Sequence, residues 1–471
     1  MKKNQTRRDF LATSAMGIAA TSAFSFMPRS VFAANDQINV AVIGIRGQGG
    51  SHINGFGEIE DVRVKTIVDV DENLFADRIQ EIEEKYGYTP ATETDMRRVL
   101  DDPEIDAVTF ATPNHWHALG TIWAAQAGKH VYVEKPSCHS VWEGRQMVHA
   151  AREHDVLVQV GFQNRSRLNT RAAIEFVRGG GIGDVYMARG LCFKPRGDIG
   201  LYPDGPMDPE EKFAFTVDSD SYMPPYTSEY LDGVHYDLWV GPATMRPFNR
   251  NRFHYNWHWQ WEYGNGDTGN QGPHQLDIGR WGLGQDDYPV RIMSSGGNFV
   301  YDSAQETPNT QTTLFEYADG TIFEFATRGL PTNPDGEIKI GNVFYGSEGR
   351  LEIDAEGNWK TFFGHADEPG PNSDNIAAEE SDALQLVGTG SSGHYGNFVA
   401  AVRSGKRSDL TCDLEEGHRS SCLAHLGNIS YRLGREVRFD GANEKVIGDD
   451  EANKMLRRPA YREPYVVPDL S

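Results

Sequence analysis

Basic residues are scarce. The chain of 471 residues holds 45 Lys plus Arg against 68 Asp plus Glu, a net charge of −23. A phosphate backbone needs a basic face, so the balance argues against nucleic acid as a partner. It argues equally against docking on an anionic membrane surface. Cysteine is also scarce. Cys138, Cys192, Cys412 and Cys422 form no C-x-x-C pair, which removes a zinc ribbon or dithiol redox motif. Four cysteines do not make a disulfide scaffold. After residue 26 no apolar run approaches the roughly 20 residues that a spanning helix needs, so no stable membrane anchor is expected. Internal repeats are missing, and the 50 glycines follow no collagen period. No serine elbow, P-loop, kinase motif set or Cys/His nucleophile pair is present, and nothing positions two carboxylates as a retaining glycosidase requires. What remains is a globular composition, 38% hydrophobic and 24% charged. Its length exceeds the roughly 250–300 residues of one core and implies two large domains or three ordinary ones.

The first 34 residues read as a targeting segment. Lys2, Lys3, Arg7 and Arg8 make a basic start, and Thr6-Arg7-Arg8-Asp9-Phe10-Leu11 looks like a twin-arginine export signal. A Ser/Thr-diluted apolar run from Phe10 to Phe26 follows, then Val31-Phe32-Ala33 as a small-residue cleavage site. Cleavage after Ala33 leaves 438 residues with a net charge of −27. The expectation is a periplasmic protein delivered by the twin-arginine machinery, a route that carries folded proteins and suits one that loads a cofactor in the cytoplasm.

A strand–helix alternation follows. Ile38–Ile43 is a β-branched run that ends in Gly44-Ile45-Arg46-Gly47-Gln48-Gly49-Gly50, with a helix expected from Ser51. Glycines between strand and helix let the backbone approach a pyrophosphate at the positive helix end. The fit to G-x-G-x-x-G is imperfect, because Arg46 takes the second glycine position and Gly47 comes one place late. A second strand, Val62–Val68, ends at Asp69, 25 residues after Gly44. A carboxylate there accepts the ribose 2′-OH and repels a 2′-phosphate, which favours NAD over NADP; Asp71 lies close enough to share the task. A helix over 72–86, a strand at Ala107–Ala111, a helix at His115–Ala127, a strand at His130–Glu134, a capping box at Ser140-Val141-Trp142-Glu143 and a strand at Val156–Gly161 complete a doubly wound parallel sheet. Such sheets bind ligands at the carboxyl ends of their strands. Thr112-Pro113-Asn114-His115-Trp116-His117 and Glu134-Lys135-Pro136 stand there.

Downstream, Thr310–Tyr317 and Thr321–Thr327 flank the turn Ala318-Asp319-Gly320. Phe323 and Phe325 share one face and Glu324 the other. Asn342–Tyr345 and Arg350–Ile353 read as another hairpin. Helices are expected at His394–Arg403 and Leu414–Leu433, a long loop at Tyr202–Tyr230, and an extended tail at Arg457–Ser471.

The glycine turn, Thr112-Pro113-Asn114 with His117, Glu134-Lys135-Pro136 and Gly272-x-His274-x-x-Asp277 occur in the order and spacing of one family. The chain resembles the glucose–fructose oxidoreductase/inositol dehydrogenase (Gfo/Idh/MocA) family over essentially its whole mature length. Lys194-Pro195-Arg196, Asp237–Ala243 and Asn270-Gln271-Gly272 resemble an exported bacterial branch of it. The resemblance implies an α/β fold: an N-terminal NAD-binding Rossmann domain (35–162), then an α+β domain with an open, mostly antiparallel sheet (163–440) and a tail (441–471). It also implies a homo-oligomer.

Lys135 is the first catalytic candidate. Oxidising a secondary alcohol removes the hydroxyl proton as well as a hydride, and a partly buried lysine beside a nicotinamide cation has its pKa lowered enough to exchange that proton. Pro136 restricts the Lys135 backbone and helps aim the side chain. The resemblance implies that His274 contacts the reacting hydroxyl. Asn270 is a departure: better-known members carry Asp there, and Asn cannot take a proton, although it can hydrogen-bond substrate. That throws more weight on Lys135 and His274. Gly44, Arg46, Gly47, Gln48, Gly49 and Asp69 are the cofactor-binding candidates of the first turn. Thr112, Pro113, Asn114 and His117 are expected on the nicotinamide side, with Glu134, Lys135 and Gln163. Asn164, Arg165, Lys194, Arg196 and Asp277 are candidates on the substrate side. In His254–Trp261, Trp257 and Trp259 fit a strand face that stacks on sugar C–H surfaces. His254 and His258 stand four apart without a third ligand, so no metal is expected.

The leading function is an exported NAD-dependent oxidoreductase acting on a sugar or polyol hydroxyl with tightly bound cofactor. A redox-neutral NAD-dependent glycosidase or lyase working through a transient keto-sugar is the alternative, but relatives of that kind lack the Glu-Lys-Pro motif. A non-enzymatic sugar-binding protein is the third reading.

Overall fold

Residues 37–205, 233–375 and 392–470 are described by the computed structural model. The targeting segment and most of the loop read at residues 202–230 lie outside the described residues.

The first sheet grows from β1 (Ile38–Ile43), whose Val40, Ala41 and Val42 are fully buried. A strand apolar on both faces needs cover on both. There follow α1 (Gly47–Gly57), β2 (Val62–Val68), α2 (Phe75–Tyr86), β3 (Ala91–Glu93), α3 (Met96–Leu100), β4 (Ala107–Phe110), α4 (Asn114–Gln126), β5 (His130–Val133), α5 (Val141–Glu153) and β6 (Val158–Val160). The strand order is β3-β2-β1-β4-β5-β6 and every pair is parallel. The order reverses between β1 and β4, so a crevice opens at their carboxyl ends. The sequence reading passed over β3 and α3. Three residues of strand with Ala91 and Thr92 exposed offer no apolar period. The helix expected from Ser51 starts at Gly47 instead. Ser140 caps α5 by accepting from the Glu143 amide at 3.4 Å, but the Glu143 carboxylate turns to the Tyr461 hydroxyl at 2.9 Å, so only half of the capping box forms.

The second sheet is assembled from distant segments. After α6 (Leu168–Arg178) comes β7 (Val185–Cys192), and after α7 (Tyr236–Val240), α8 (Gly266–Gly269) and α9 (Gly272–Gly282) come β8 (Arg291–Gly297), β9 (Thr310–Glu316), β10 (Ile322–Arg328), β11 (Ile340–Gly346), β12 (Gly349–Asp354), β13 (Trp359–Phe363) and β14 (Glu368–Asn372). Then follow α10 (Gly393–Ser404), α11 (Leu414–Leu433), β15 (Val437–Asp440), β16 (Lys445–Val446) and α12 (Asp450–Met455). The order is β14-β13-β12-β11-β7-β10-β9-β8-β15-β16, with β7 and β10 parallel and the other pairs antiparallel. Phe323 and Phe325 point into the core shared with Leu276, Ile278, Leu423 and Leu426. Burying side chains of this size contributes roughly 1.5–3 kcal/mol each. Glu324, on the opposite face, pairs with Arg189 at 3.1 Å.

The two cores interleave. Phe398, Val399 and Val402 of α10 pack under the first sheet, as do Leu414 at the start of α11 and Tyr465 and Val467 of the tail. Cover for the first sheet thus comes from beyond residue 162, and the second sheet runs past residue 440 to its edge strand β16. A sheet covered on both faces draws cover from wherever the chain supplies it.

His254–Trp261 departs from its reading. Residues His254–Trp259 form a 3-10 helix, and His254 has φ +45°. The three tryptophans do not share a strand face, because about three residues make a 3-10 turn. Trp257 is half-buried and Trp259 is buried.

Candidate active site

The glycine turn is fixed by crowding. Gly44 has φ +81°, and a Cβ there would fall 2.9 Å from the Ala111 carbonyl oxygen. A Cβ on Gly49 would fall 1.8 Å from the Gly44 carbonyl oxygen. These two glycines let β1, β4 and the first turn of α1 approach each other. Gly47 is different: nothing lies within 4 Å of its Cβ position, which leaves the amide end of α1 open to the cavity.

That cavity runs over the carboxyl ends of the first sheet. Gly44, Arg46, Gly47, Gln48, Asp69, Thr112, Pro113, Asn114, His117, Glu134, Lys135, Asn270 and Trp257 all line it. Gly49 and Gln163 stand behind its wall. Asp69 holds the turn together: Oδ2 accepts from the Ile45 amide at 2.9 Å and Oδ1 from the Asp71 amide at 3.0 Å. Burial pushes its pKa up to about 6, against the pull of those two amides. Asp71 is not a second ribose acid, for it is buried, does not line the cavity, and its Oδ2 lies 3.2 Å from His254 Nε2.

Glu134 is a hub. Oε1 accepts from Gln48 Nε2 at 3.0 Å and Gln163 Nε2 at 3.1 Å, and lies 3.1 Å from His52 Nε2; Oε2 accepts from the Lys135 amide at 3.2 Å. Burial alone would raise its pKa, but the His52 contact and the charges of His52 and Lys135 bring it down to about 2. The next residue turns the other way. Lys135 Nζ donates to the Asn270 main-chain carbonyl at 2.8 Å. Burial lowers its pKa, and the charges of Arg196 and Lys194 push in the same direction, against Glu134 and Asp267. His117 is held between two carbonyls, Pro136 O at 2.8 Å and Thr112 O at 3.0 Å, next to this turn. Asn114 Nδ2 donates to Asn265 Oδ1 at 3.0 Å and ties α4 to the second domain.

His274 stands in the first turn of α9, which begins two residues before it at Gly272. Burial and the Lys135 charge bring its pKa down to about 3, so the ring is neutral at pH 7. Its Nδ1 is buried and has no hydrogen-bond partner among the described residues.

Arg165 and Asp277, read as substrate contacts, face each other instead. Arg165 Nε donates to both Asp277 oxygens at 3.0 and 2.8 Å, Nη2 donates at 2.7 Å, and Ser420 Oγ adds 2.6 Å. Neither lines the cavity. The sequence could not distinguish a buried ion pair from a substrate clamp, because the partners are 112 residues apart. Asn164 lies in the short helical turn at Gln163–Ser166 and likewise does not line the cavity. Trp259 is buried with the Arg196 guanidinium 5.4 Å from its ring centre. Arg196 donates from Nη2 to Asp267 Oδ1 at 2.7 Å and from Nη1 to the Tyr255 hydroxyl at 2.9 Å.

Several lining residues escaped the sequence reading. Tyr255 accepts from both Arg196 and Asn270, the latter at 3.3 Å from Nδ2. His258 stacks on Trp257 with ring centres 3.6 Å apart. Arg97 and Tyr465 complete another part of the wall, with the guanidinium 5.6 Å from the ring centre. Tyr255 and His258 lay in a segment read for its tryptophans, and Tyr465 in a tail without periodicity. Among the described residues no group of three or more His, Cys, Asp or Glu could hold a metal ion. His254 turns to Asp71 and His258 to Trp257. All four cysteines are free and buried.

These features match known proteins. A family described as an oxidoreductase family with an NAD-binding Rossmann fold, Gfo/Idh/MocA, matches residues 38–162, and its C-terminal alpha/beta domain matches residues 218–333 and 387–467. Levoglucosan dehydrogenase of Pseudarthrobacter phenanthrenivorans is 34% identical over 123 residues, 26% of this chain and 30% of that protein. Myo-inositol 2-dehydrogenase of Thermotoga maritima is 31% identical over 152 residues, 32% of this chain and 44% of that one. The matches thus span less than half the length of either curated relative. A solved structure of levoglucosan dehydrogenase in complex with NADH shares the fold with a TM-score of 0.61 at 19% identity, over 86% of this chain and 99% of that one.

Proposed function

Because the chain belongs to the Gfo/Idh/MocA oxidoreductase family, we propose that it is an exported NAD(H)-dependent oxidoreductase that oxidises a secondary hydroxyl of a sugar or polyol and keeps its cofactor bound between turnovers. The site suits the dinucleotide. The open amide end at Gly47 would meet its pyrophosphate and Asp69 would accept its ribose hydroxyls, and the turn at Gly44 and Gly49 has no room for side chains. NAD bound there supplies the acceptor for the hydride that leaves the substrate carbon.

The observation that carries the reading is Lys135. Its ammonium is partly buried, which lowers its pKa, and donates one hydrogen bond to a main-chain carbonyl. Lowered in this way, it gives up its proton readily and in neutral form accepts the proton of the substrate hydroxyl. His274 stands behind the cavity wall rather than in it, but its ring is neutral and its Nδ1 unengaged, so that on reaching the substrate it would orient that hydroxyl as acceptor or stabilise the oxygen as donor. Asn270 contributes its main-chain carbonyl to Lys135 and its side-chain amide to Tyr255, and it cannot serve as an acid or base. The intact Glu134-Lys135-Pro136 turn favours net oxidation over redox-neutral cleavage.

Retention of the cofactor is supported by the segment that walls the cavity. Val234 forms a β-bridge to Asp71, the His235 amide donates to Val70 O at 2.7 Å, and Leu238 and Trp239 line the cavity. The tail pins this segment. Arg462 donates to Gly241 O at 3.0 Å and to Asp237 O at 2.7 Å, and the Tyr465 hydroxyl donates to Asp237 Oδ2 at 3.1 Å. The test is to purify the protein without added nucleotide, denature it and identify what is released. About one NAD(H) per chain is expected; an empty protein that binds no NAD on titration contradicts the reading. Export rests on Arg7-Arg8 and the run behind them. Replacing both with Lys should hold the protein in the cytoplasm, and undiminished delivery to the periplasm would remove that part.

A further inference from the structure

We propose that Tyr255 is a positioning residue for the proton transfer: its hydroxyl fixes Asn270, and the main-chain carbonyl of Asn270 aims the Lys135 amine at the substrate. The proposal rests on the oxidoreductase reading above and adds to it a residue that sets the geometry of the same step.

A closed ring of hydrogen bonds carries it. Arg196 Nη2 donates to Asp267 Oδ1 at 2.7 Å, and Nη1 donates to the Tyr255 hydroxyl at 2.9 Å. Asn270 Nδ2 donates to the same hydroxyl at 3.3 Å, and the Asn270 amide returns to the Asp267 main-chain carbonyl at 3.2 Å. Tyr255 and Asn270 line the cavity. Arg196 and Lys194, read as substrate contacts, do not line it, and Arg196 is a strut behind the wall. The side chains of Asp267 and Arg196 are 3% and 8% exposed, so the ring is anchored in the interior. Tyr255 is itself held. The His258 ring centre lies 4.5 Å from that of Tyr255, with Nδ1 2.6 Å from the Tyr255 main-chain carbonyl oxygen, and Trp259 meets the Tyr255 ring edge-on at 6.3 Å.

Asn270 lies in the joint between α8 and α9, with φ −96° and ψ −81°, away from the helical values that would fix its peptide. Its carbonyl is the group that Lys135 Nζ meets, at 2.8 Å. The side chain tied to Tyr255 and the amide tied to Asp267 hold that peptide from both sides. The consequence for Lys135 is orientational. A neutral amine has two N–H bonds and one lone pair. Keeping one N–H on a fixed carbonyl restricts rotation about Cε–Nζ and leaves the lone pair to face the hydroxyl whose proton it takes. The same carbonyl favours the ammonium that this transfer creates. Tyr255→Phe takes the shared acceptor away from Arg196 Nη1 and Asn270 Nδ2. Arg196 keeps Asp267, whereas the Asn270 side chain loses its anchor.

The experiment compares the NAD-loaded full-length wild type with Tyr255→Phe, with Asn270→Ala, which spares the main-chain carbonyl, and with the double variant. In a first readout, trace acetic anhydride competes for Lys135 across pH, and mass spectrometry of its peptide gives the midpoint without any substrate. Glu134, Asp267, Arg196 and Lys194, with the rings of His117, His258 and His274, bear on this charge and are present in every variant. Losing the fixed carbonyl should move the midpoint to lower pH by roughly half a unit in both single variants. In a second readout, NADH absorbance follows oxidation of D-glucose, D-galactose and D-glucitol. Tyr255→Phe should lower kcat about ten- to a hundredfold, with KM within about twofold and NAD retained. The double variant should be no worse than Asn270→Ala alone, because Tyr255 acts through Asn270. An unmoved midpoint, an unchanged kcat, a loss confined to KM, or additive losses in the double variant would each overturn the proposal while leaving the oxidoreductase reading intact. If the wild type oxidised no sugar, that reading would fall, and the labelling midpoint would still decide the role of Tyr255.

Discussion

Asp277→Asn separates a buried ion pair from a catalytic group. Asp277 is 1% exposed and Arg165, its bidentate partner, is 6% exposed. Burial would raise the Asp277 pKa, but the Arg165 charge and hydrogen bonds hold it below the usual carboxylate range. Neutralising it leaves Arg165 buried with Glu416 3.5 Å away as its remaining acidic partner, and Glu416 already holds Arg280 at 2.5 Å. Breaking a buried pair by removing one partner costs roughly 3–5 kcal/mol. A unit of about 435 residues has an unfolding entropy of roughly 0.9 kcal/mol per kelvin, so the melting temperature should fall by about 4 °C. The pH dependence follows. A depressed carboxylate contributes stability above its unfolded pKa of about 3.9, and the contribution is lost as pH falls below it. The variant's deficit should therefore be full at pH 7 and shrink in acid. The assay is thermal unfolding with and without NAD, beside kcat/KM measured well below the transition. An unchanged melting temperature with a hundredfold loss of kcat/KM would refute the structural assignment and return Asp277 to the site.

Other expectations follow from the cofactor side. Asp69 titrates near pH 6, and only its ionised form accepts hydrogen bonds at full strength. NAD affinity should therefore fall as pH drops through about 6, and Asp69→Asn should bind more weakly with a flat profile by fluorescence titration; an unaltered profile would remove Asp69 from the ribose. Gly49→Ala forces a methyl to within 1.8 Å of the Gly44 carbonyl oxygen. The turn must open, and calorimetric titration should find NAD binding lost at least a hundredfold, whereas parental affinity would show that the turn is loose. Arg462→Ala releases the segment over the cavity and should speed NAD dissociation about tenfold in stopped flow, equivalent to one charge-assisted hydrogen bond of roughly 1.5 kcal/mol; an unchanged rate would show that this wall does not retain the cofactor.

Much of the first domain was legible because its chemistry is local. β1, Gly44 and Asp69 lie within one βαβ unit, and apolar runs ending in glycine or acid mark strand ends. The hairpin across Ala318-Asp319-Gly320 and the inward Phe323 and Phe325 were likewise readable from period and turn chemistry. β3 and α3 were not, being short and weakly patterned. At the site, Lys135 was named from its strand end and Asn270 and His274 from the family resemblance, yet what each touches depends on tertiary placement. That Lys135 meets the main chain of Asn270, 135 residues away, has no trace in composition or spacing. Nor has the pairing of Arg165 with Asp277, or the return of Tyr465 to the cavity. The 3-10 helix at His254–Trp259 imitated a strand because its aromatics recur at every second position.

The most direct test compares the NAD-loaded wild type with Lys135→Met in a single turnover with sugar, followed at 340 nm. The lost acid/base group should lower the hydride-transfer rate by on the order of 10²–10⁴, with NAD still bound, and exogenous small amines should restore part of it. A Lys135→Met protein that reduces its NAD at the wild-type rate would contradict the mechanism.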